Sequence, residues 1–384
     1  MNEPLSFYVH IPYCVKRCGY CDFNTYTPSE LREGGDLKSV SNGYIDLLIK
    51  EIGMAHAVAP TNSPIPTIFF GGGTPTLMEP TDLGLVLMEL SNTFGFANDI
   101  EITIEANPDT VTKDKLAKLR DVGMNRISFG MQSAAPNVLK VLDRTHDPEN
   151  VIKATTWARE VGFDEVSVDL IYGAPTESIS DWEATVDAAL ELPITHISAY
   201  ALIVESGTKL ANQVRRGEVV MPDEDQTADK YLIADSKFNS AGFSWYELSN
   251  WAKPGSQAKH NIAYWENANW WGLGPGAHSH IDGVRFWNVK HPSAYAERIN
   301  NGVAPVQDSE TLTLEDKENE RIMLEIRLRD GIALTSLTPD QIAKVESYLE
   351  TGHLDLDFWG AGRVALTQSG RLIADRIVQE IISA

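Results

Sequence analysis

VSVDLIYGAPTESISDWEATVDAALELPITHISAYAL, residues 166–202, reads as strand, turn, helix and strand. VSVDLI (166–171) and HISAYAL (196–202) are short and rich in β-branched and apolar residues, whereas DWEATVDAALEL (181–192) repeats its apolar residues every three or four positions. Two strands joined through a helix imply a crossover and parallel pairing. Working back from this unit, FYVHI (7–11), TIFFG (67–71), ITIEA (102–106) and RISFG (126–130) are further strands, separated by stretches such as GYIDLLIKEIGMAHAV (43–58) with the spacing of an amphipathic helix. Six such units give an α/β fold with a parallel sheet and favour a partial (β/α)6 TIM-type barrel, although an open doubly wound sheet shares the pattern.

The residues capable of chemistry collect after these strands. Cys14, Cys18 and Cys21 follow the first, Gly71, Gly72, Gly73 and Thr74 the second, and Glu105 and Asn107 end the third. Gln132 follows the fourth, Asp169 and Tyr172 close the fifth, and Tyr200 stands late in the sixth. Loops at the carboxyl ends of parallel strands converge on one mouth, which is where such folds carry their sites.

After Leu210 the alternation stops. A helix is expected from Pro222 to Ser240, followed by FSWYELSNWA and the aromatic, glycine-rich KHNIAYWENANWWGLGPGAHSH. From residue 292 the pattern gives helices over 314–328 and 338–350, a short strand pair around RVALT and a last helix RLIADRIVQEII, an α+β unit of winged-helix character. The expected divisions are therefore 1–210, 211–291 and 292–384, with a flexible insert at 29–43.

Composition narrows the setting. The 384 residues, 43% hydrophobic, suffice for a large core, and 32 basic against 54 acidic residues give a net charge of −22 that disfavours nucleic acid. Residues 311–384 carry 8 Lys and Arg against 13 Asp and Glu, so the winged-helix-like unit is not expected to bind DNA. No apolar run approaches a membrane span, the opening MNEPLSFYVHIP lacks the pattern of a secretory leader, and three cysteines cannot pair completely. The expected compartment is the reducing cytoplasm.

All three cysteines fall within HIPYCVKRCGYC (10–21), spaced C-x3-C-x2-C. A zinc site wants four ligands and has only His10 nearby as a fourth. A disulfide fails on the odd count, a redox pair leaves Cys14 unexplained, and a loop containing Lys16 and Arg17 is a poor place for core cysteines. An iron–sulfur cube held by three thiolates keeps one iron open to an outside ligand, and Lys16 and Arg17 offset part of its negative charge.

With those residues in view, the chain resembles the radical S-adenosylmethionine (SAM) superfamily, in which C-x3-C-x2-C after the first strand binds a [4Fe-4S] cluster and SAM chelates the open iron. GGGTP (71–75) matches that superfamily's glycine-rich motif and, with no Gly-Lys-Ser/Thr following, is not a Walker A loop. YVHIPYC, GGGTP, IEANPDT, RISFGMQS, VSVDLIYGAP and AYALIVESGT, in this order, are similar to the anaerobic coproporphyrinogen III oxidase branch over most of residues 7–280. The resemblance implies SAM contacts at Tyr8, Tyr20, Gly72, Gly73, Thr74, Glu105, Gln132, Arg144, Asp169 and Ala201, for one SAM molecule or two. Glu105 or Asp169 can accept from ribose hydroxyls, Gln132 and Arg144 can bind a carboxylate, and Tyr20 can lie against the ligand.

The sequence departs from that oxidase at two places. Cys21 is followed by Asp22 and Phe23 where the oxidase has a further cysteine, and Tyr8 stands nearly at the start where the oxidase has an N-terminal extension. Both features, with H-N-x-x-Y-W present as His260, Asn261, Tyr264 and Trp265, resemble the sister family of radical SAM haem chaperones of HemW type. This resemblance implies a protein that binds a [4Fe-4S] cluster, SAM and haem and delivers haem to an acceptor protein. Cleavage of SAM would require an electron donor such as flavodoxin or ferredoxin. His260 beside large aromatics is the expected haem ligand, with His278 and His280 behind it; the alternative is a structural hydrogen bond in an aromatic core. Oxidative decarboxylation of coproporphyrinogen III is the second reading, and another radical SAM activity, such as RNA modification, is the third.

Overall fold

The computed structural model describes residues 3–31, 36–59, 61, 63–144 and 146–383. The first six strands are β1 (Ser6–Ile11), β2 (Ile65–Gly72), β3 (Phe96–Ala106), β4 (Arg126–Gln132), β5 (Glu165–Tyr172) and β6 (His196–Ala201). They pair in sequence order and all in parallel. Each expected strand is present. β3 starts six residues earlier than its apolar alternation suggests, because Phe96 pairs with Ile65 before the buried stretch begins.

The six strands form part of a larger sheet. β7 (Ser244–Glu247) and β8 (Asn250–Ala252) add to the β6 edge, and β9 (Trp270–Leu273), β10 (His278–Ile281), β11 (Val284–Asn288) and β12 (Val306–Thr311) add to the β1 edge. The resulting twelve-stranded order is β12-β11-β10-β9-β1-β2-β3-β4-β5-β6-β8-β7. β9 runs parallel to β1, and the remaining additions are antiparallel.

Side-chain alternation explains how the sheet is used. Val9, Phe70, Ile104, Phe129, Val168 and Ala199 belong to one core with Leu48, Leu83, Leu116, Ala154 and Val186 of the crossover helices. Successive strand residues point to opposite faces, so the other face carries Tyr8, Phe69, Thr103, Glu105, Ser128, Asp169 and Ser198. A parallel sheet with both faces in apolar contact reads as continuous hydrophobic runs. These strands alternate instead, and the inner face is polar.

Boundaries differ from expectation in two respects. The sheet continues past 210, and a division at 291/292 falls between β11 and β12, which pair with each other. The second core, built from Ile322, Val345, Leu354, Val364, Ile377 and Ile381, draws its first residue well beyond β12. In this C-terminal unit the helices Leu314–Glu325 and Pro339–Glu350 are present, each opened by a capping box. Strand Arg363–Val364 pairs with the distant Ile332–Ala333, not with an adjacent segment. The last helix starts at Ala374 instead of Arg371, since Arg371 ends a separate short helix and turns into a buried ion pair with Asp235. Of the insert expected at 29–43, residues 32–35 lie outside the described residues, and the flanks form the short helices Pro28–Leu31 and Leu37–Ser41. Among the described residues no helix is long and apolar enough to cross a membrane.

Candidate functional site: a thiol loop over a polar chamber

The cysteine loop leaves β1 at Ile11 and is closed by backbone bonds from Cys14 N to Tyr26 O (3.0 Å) and from Tyr26 N to Pro12 O (2.7 Å). Asn24 fastens its far end: its amide donates to the carbonyls of Pro275 and Lys290 (2.9 Å each), and its own carbonyl accepts from His10 Nε2 at 2.9 Å. His10 Nε2 is thus protonated and Nδ1 accepts from Tyr8 OH at 3.0 Å. Both imidazole nitrogens are engaged, so His10 is not free to complete a zinc site.

The thiols meet polar donors. Thr74 Oγ1 donates to Cys14 Sγ at 3.8 Å, and Arg144 Nη1 donates to Cys18 Sγ at 3.6 Å. Burial pushes the Cys14 thiol up to about 11 and raises that of Cys21. Cys18 and Cys21 line a cavity of about 470 Å³ together with Arg17, Gly19, Phe23 and Lys209. Among the described residues no three Cys, His, Asp or Glu side chains gather about a single-ion position. Three thiols, two of them with donors aimed at sulfur, and a cavity beside them fit an iron–sulfur group, whose sulfurs accept hydrogen bonds.

The glycine motif packs directly under this loop. Gly73 N donates to Ile11 O and Thr74 N to Tyr13 O, both at 2.8 Å. A Cβ on Gly73 would lie 2.5 Å from the Tyr13 carbonyl oxygen, so the close approach requires glycine. Gly72 has φ +111°, and its N–H donates to Glu105 Oε2 at 3.2 Å.

The other expected SAM residues stand on the polar inner face of the strands or in the loops that follow them. Glu105 is pushed up to about 8, by burial first and by the Asp169 carboxylate second. Burial also raises Asp169, against the hydrogen bonds it accepts; Ser128 Oγ lies 3.0 and 3.1 Å from its two oxygens. Gln132, at the end of β4, has φ +63°, a left-handed conformation that costs a non-glycine residue about 1–2 kcal/mol. It follows an irregularity in the β4–β5 register, and strain of this kind clusters at functional sites. Arg144 donates to Gly130 O (2.7 Å) and to His146 Nδ1 (3.3 Å) as well as to Cys18. Tyr20 packs on the small cluster of Val138, Leu142 and Ile171, and Ala201 ends β6 in register with Tyr172. The structure therefore brings the three cysteines and nine of these ten residues toward the carboxyl ends of the parallel strands, with Tyr8 lower, midway along β1 beside Phe69. Ser128 and Asn24 were missed. Ser128 was legible as an inner-face position of RISFG, whereas no local signal marks Asn24.

His260 is placed differently from the expectation. It is 1% exposed on the helix Lys259–Trp265, near the amino ends of β2 and β3. Its Nδ1 bonds Thr67 Oγ1 at 2.8 Å and its Nε2 bonds Tyr264 OH at 2.9 Å. Burial lowers its pKa to about 3. An iron ligand would have to displace one of those bonds, so the haem-ligand expectation for His260 does not fit this geometry. His280 is likewise engaged, through Ala268 O (3.3 Å) and Gly283 N (3.2 Å). His278 is exposed, with its ring stacked on Trp287 at 5.7 Å.

A thiol loop over a polar parallel (β/α)6 chamber defines the class, and the radical SAM superfamily model matches residues 8–189. The chain is 43% identical over 382 residues to the heme chaperone HemW of Mycobacterium tuberculosis, covering 99% of this chain and 95% of that one. It is 31% identical to the Escherichia coli heme chaperone HemW, covering 98% and 97% of the two chains. It belongs to the HemW family of radical SAM proteins. The solved coproporphyrinogen III oxidase HemN of Escherichia coli has the same fold, with a TM-score of 0.83 at 22% identity, covering 100% of this chain and 91% of that chain.

Proposed function

We propose that this protein is a haem chaperone that binds a [4Fe-4S] cluster through Cys14, Cys18 and Cys21, SAM in the polar chamber, and haem, which it passes to an acceptor protein in the cytoplasm. The observation carrying this reading is the similarity, 43% and 31% identity over nearly the full length, to chains named heme chaperone HemW. Asp22 and Phe23, where the oxidase has a cysteine, support it over porphyrinogen decarboxylation. When bound, such a cluster supplies an open iron for SAM's amino and carboxylate groups and an electron for reductive cleavage, which a flavodoxin or ferredoxin would replenish.

The chain's own residues do the positioning. Thr74 Oγ1 donates to Cys14 Sγ and Arg144 Nη1 to Cys18 Sγ, which orients these two sulfurs. Glu105 and Asp169 offer carboxyl oxygens to ligand hydroxyls, and Ser128 keeps Asp169 oriented. For haem iron, His278 suits better than His260, since its ring is exposed and Trp287 supplies a flat apolar neighbour.

The test uses anaerobically reconstituted protein titrated with haem, then mixed with an apo-haemoprotein. One haem per chain that appears in the acceptor is the expected result. Haem that binds and stays, or no binding at all, would refute the chaperone reading. Cys14→Ser, Cys18→Ser and Cys21→Ser should each abolish the visible absorbance of the reconstituted cluster, and full retention would rule out the assigned ligands.

A further inference from the structure

The H-N-x-x-Y-W helix is anchored from inside the barrel. The N–H groups of Lys259 and His260 donate to the two oxygens of Glu101, on β3, at 3.0 Å each. Thr67 Oγ1, on β2, donates to Ser6 Oγ at 2.9 Å, so toward His260 it acts as acceptor, and His260 Nδ1 carries the proton. His260 Nε2 is then the acceptor for Tyr264 OH, which fixes the phenol in one orientation.

An unbroken stack rises from this pair. The His260 ring lies on Phe69 (5.3 Å between centroids, 26° between planes), and Phe69 lies against Tyr8 (6.2 Å, 22°). Phe69, Tyr8 and Glu105 converge on Gly71, where an added Cβ would meet them at 2.8, 3.0 and 3.1 Å. Tyr264 stands at the base of this stack, its ring edge-on to the His260 imidazole with 4.8 Å between centroids.

We propose that His260 and Tyr264 form the floor of the barrel chamber and are positioning residues for Tyr8 and Glu105, rather than a face that presents imidazole to haem iron. The proposal rests on the assignment of SAM to this chamber. It gives the motif's spacing a physical reason. Residues 260 and 264 are one helical turn apart on one face, which lets imidazole and phenol bond each other while both point into the barrel.

Tyr264→Phe removes one hydroxyl, and His260→Ala removes both bonds and the stack. Both variants are measured for SAM affinity by calorimetry, for haem stoichiometry and visible spectrum, and, without cluster or SAM, for amide hydrogen exchange over residues 69–73 and 103–106. Tyr264→Phe is expected to weaken SAM roughly tenfold, as for one lost buried hydrogen bond, and His260→Ala more. Haem stoichiometry and spectrum should stay at wild-type values, and exchange in both segments should quicken roughly fivefold. A shifted haem spectrum or lost haem, with SAM affinity and exchange unchanged, would overturn the proposal. Should the wild-type chain bind no SAM, the chamber assignment fails, and the exchange arm decides the floor by itself: unchanged rates in both variants refute it. If His260→Ala does not fold, Tyr264→Phe carries the same decision.

Discussion

Glu51 sits fully buried on the helix Tyr44–Val58 and accepts from Tyr295 OH (2.6 Å), Gly274 N (2.8 Å) and Asn288 Nδ2 (2.7 Å). Burial outweighs these bonds and pushes its carboxyl up to about 7. In the unfolded chain the group ionises near its ordinary value, so between roughly pH 4.5 and 7 the folded state holds the extra proton. Stability of the cluster-free protein should therefore fall as pH rises through this window, by about 3 kcal/mol at most from this group. Urea unfolding across the window measures it, and a Glu51→Gln protein that keeps the same slope would show the slope to have another origin. Individual residues were unevenly legible in the sequence. The cysteines and the GGGTP turn announced themselves by spacing. His10, Asn24 and Glu51 did not, because their roles depend on partners far along the chain, such as Asn24 with Pro275 and Glu51 with Asn288. His260 was legible as a feature but not in its orientation, which depends on Thr67 and Glu101 of separate strands.

At the scale of elements, the six parallel strands were legible since helix and strand periods differ so clearly, and five of the six begin within two residues of expectation. The strands added at the two edges of the sheet were not. β8 and β9 are three and four residues long and lie in an aromatic stretch with no clean alternation. The polar inner face was written in ITIEA and VSVDLI, where Thr103, Glu105, Ser167 and Asp169 alternate with apolar residues. The closest fit between elements is the loop of β1 over the turn after β2. Gly73→Ala places a methyl against the Tyr13 carbonyl, and backbone on both sides leaves little to yield. The expected outcome is a folded protein whose iron content after reconstitution falls to roughly half of wild type or lower, since overpacking here displaces the loop. Wild-type iron content would show that the loop adjusts without cost.

At the scale of the molecule, the two cores are joined by a buried pair. Arg371 donates to both oxygens of Asp235 (2.9 and 2.7 Å) and stacks over Trp245 at 4.4 Å, while Asp235 also accepts from Trp251 Nε1 at 2.8 Å. Burial alone would raise the Asp235 carboxyl, but these partners, Arg371 foremost, hold it below its ordinary value. Arg371→Ala leaves a buried carboxylate without its cation and should cost about 3–5 kcal/mol in urea unfolding. A paired Asp235→Leu/Arg371→Met replacement should recover most of that loss, because a buried ion pair yields little net stability over apolar packing. A loss below 1 kcal/mol in Arg371→Ala would mean the C-terminal unit docks by other contacts.

Haem delivery and porphyrinogen decarboxylation are the two outcomes this fold has to be told apart on, and both readings place a cluster on the same three cysteines. The most direct measurement incubates the reconstituted protein with SAM, a low-potential reductant and coproporphyrinogen III, and in parallel with haem, and follows both products by chromatography. One haem bound per chain and unchanged coproporphyrinogen are the expected result. Protoporphyrinogen formed over successive turnovers, without stoichiometric haem binding, would contradict it.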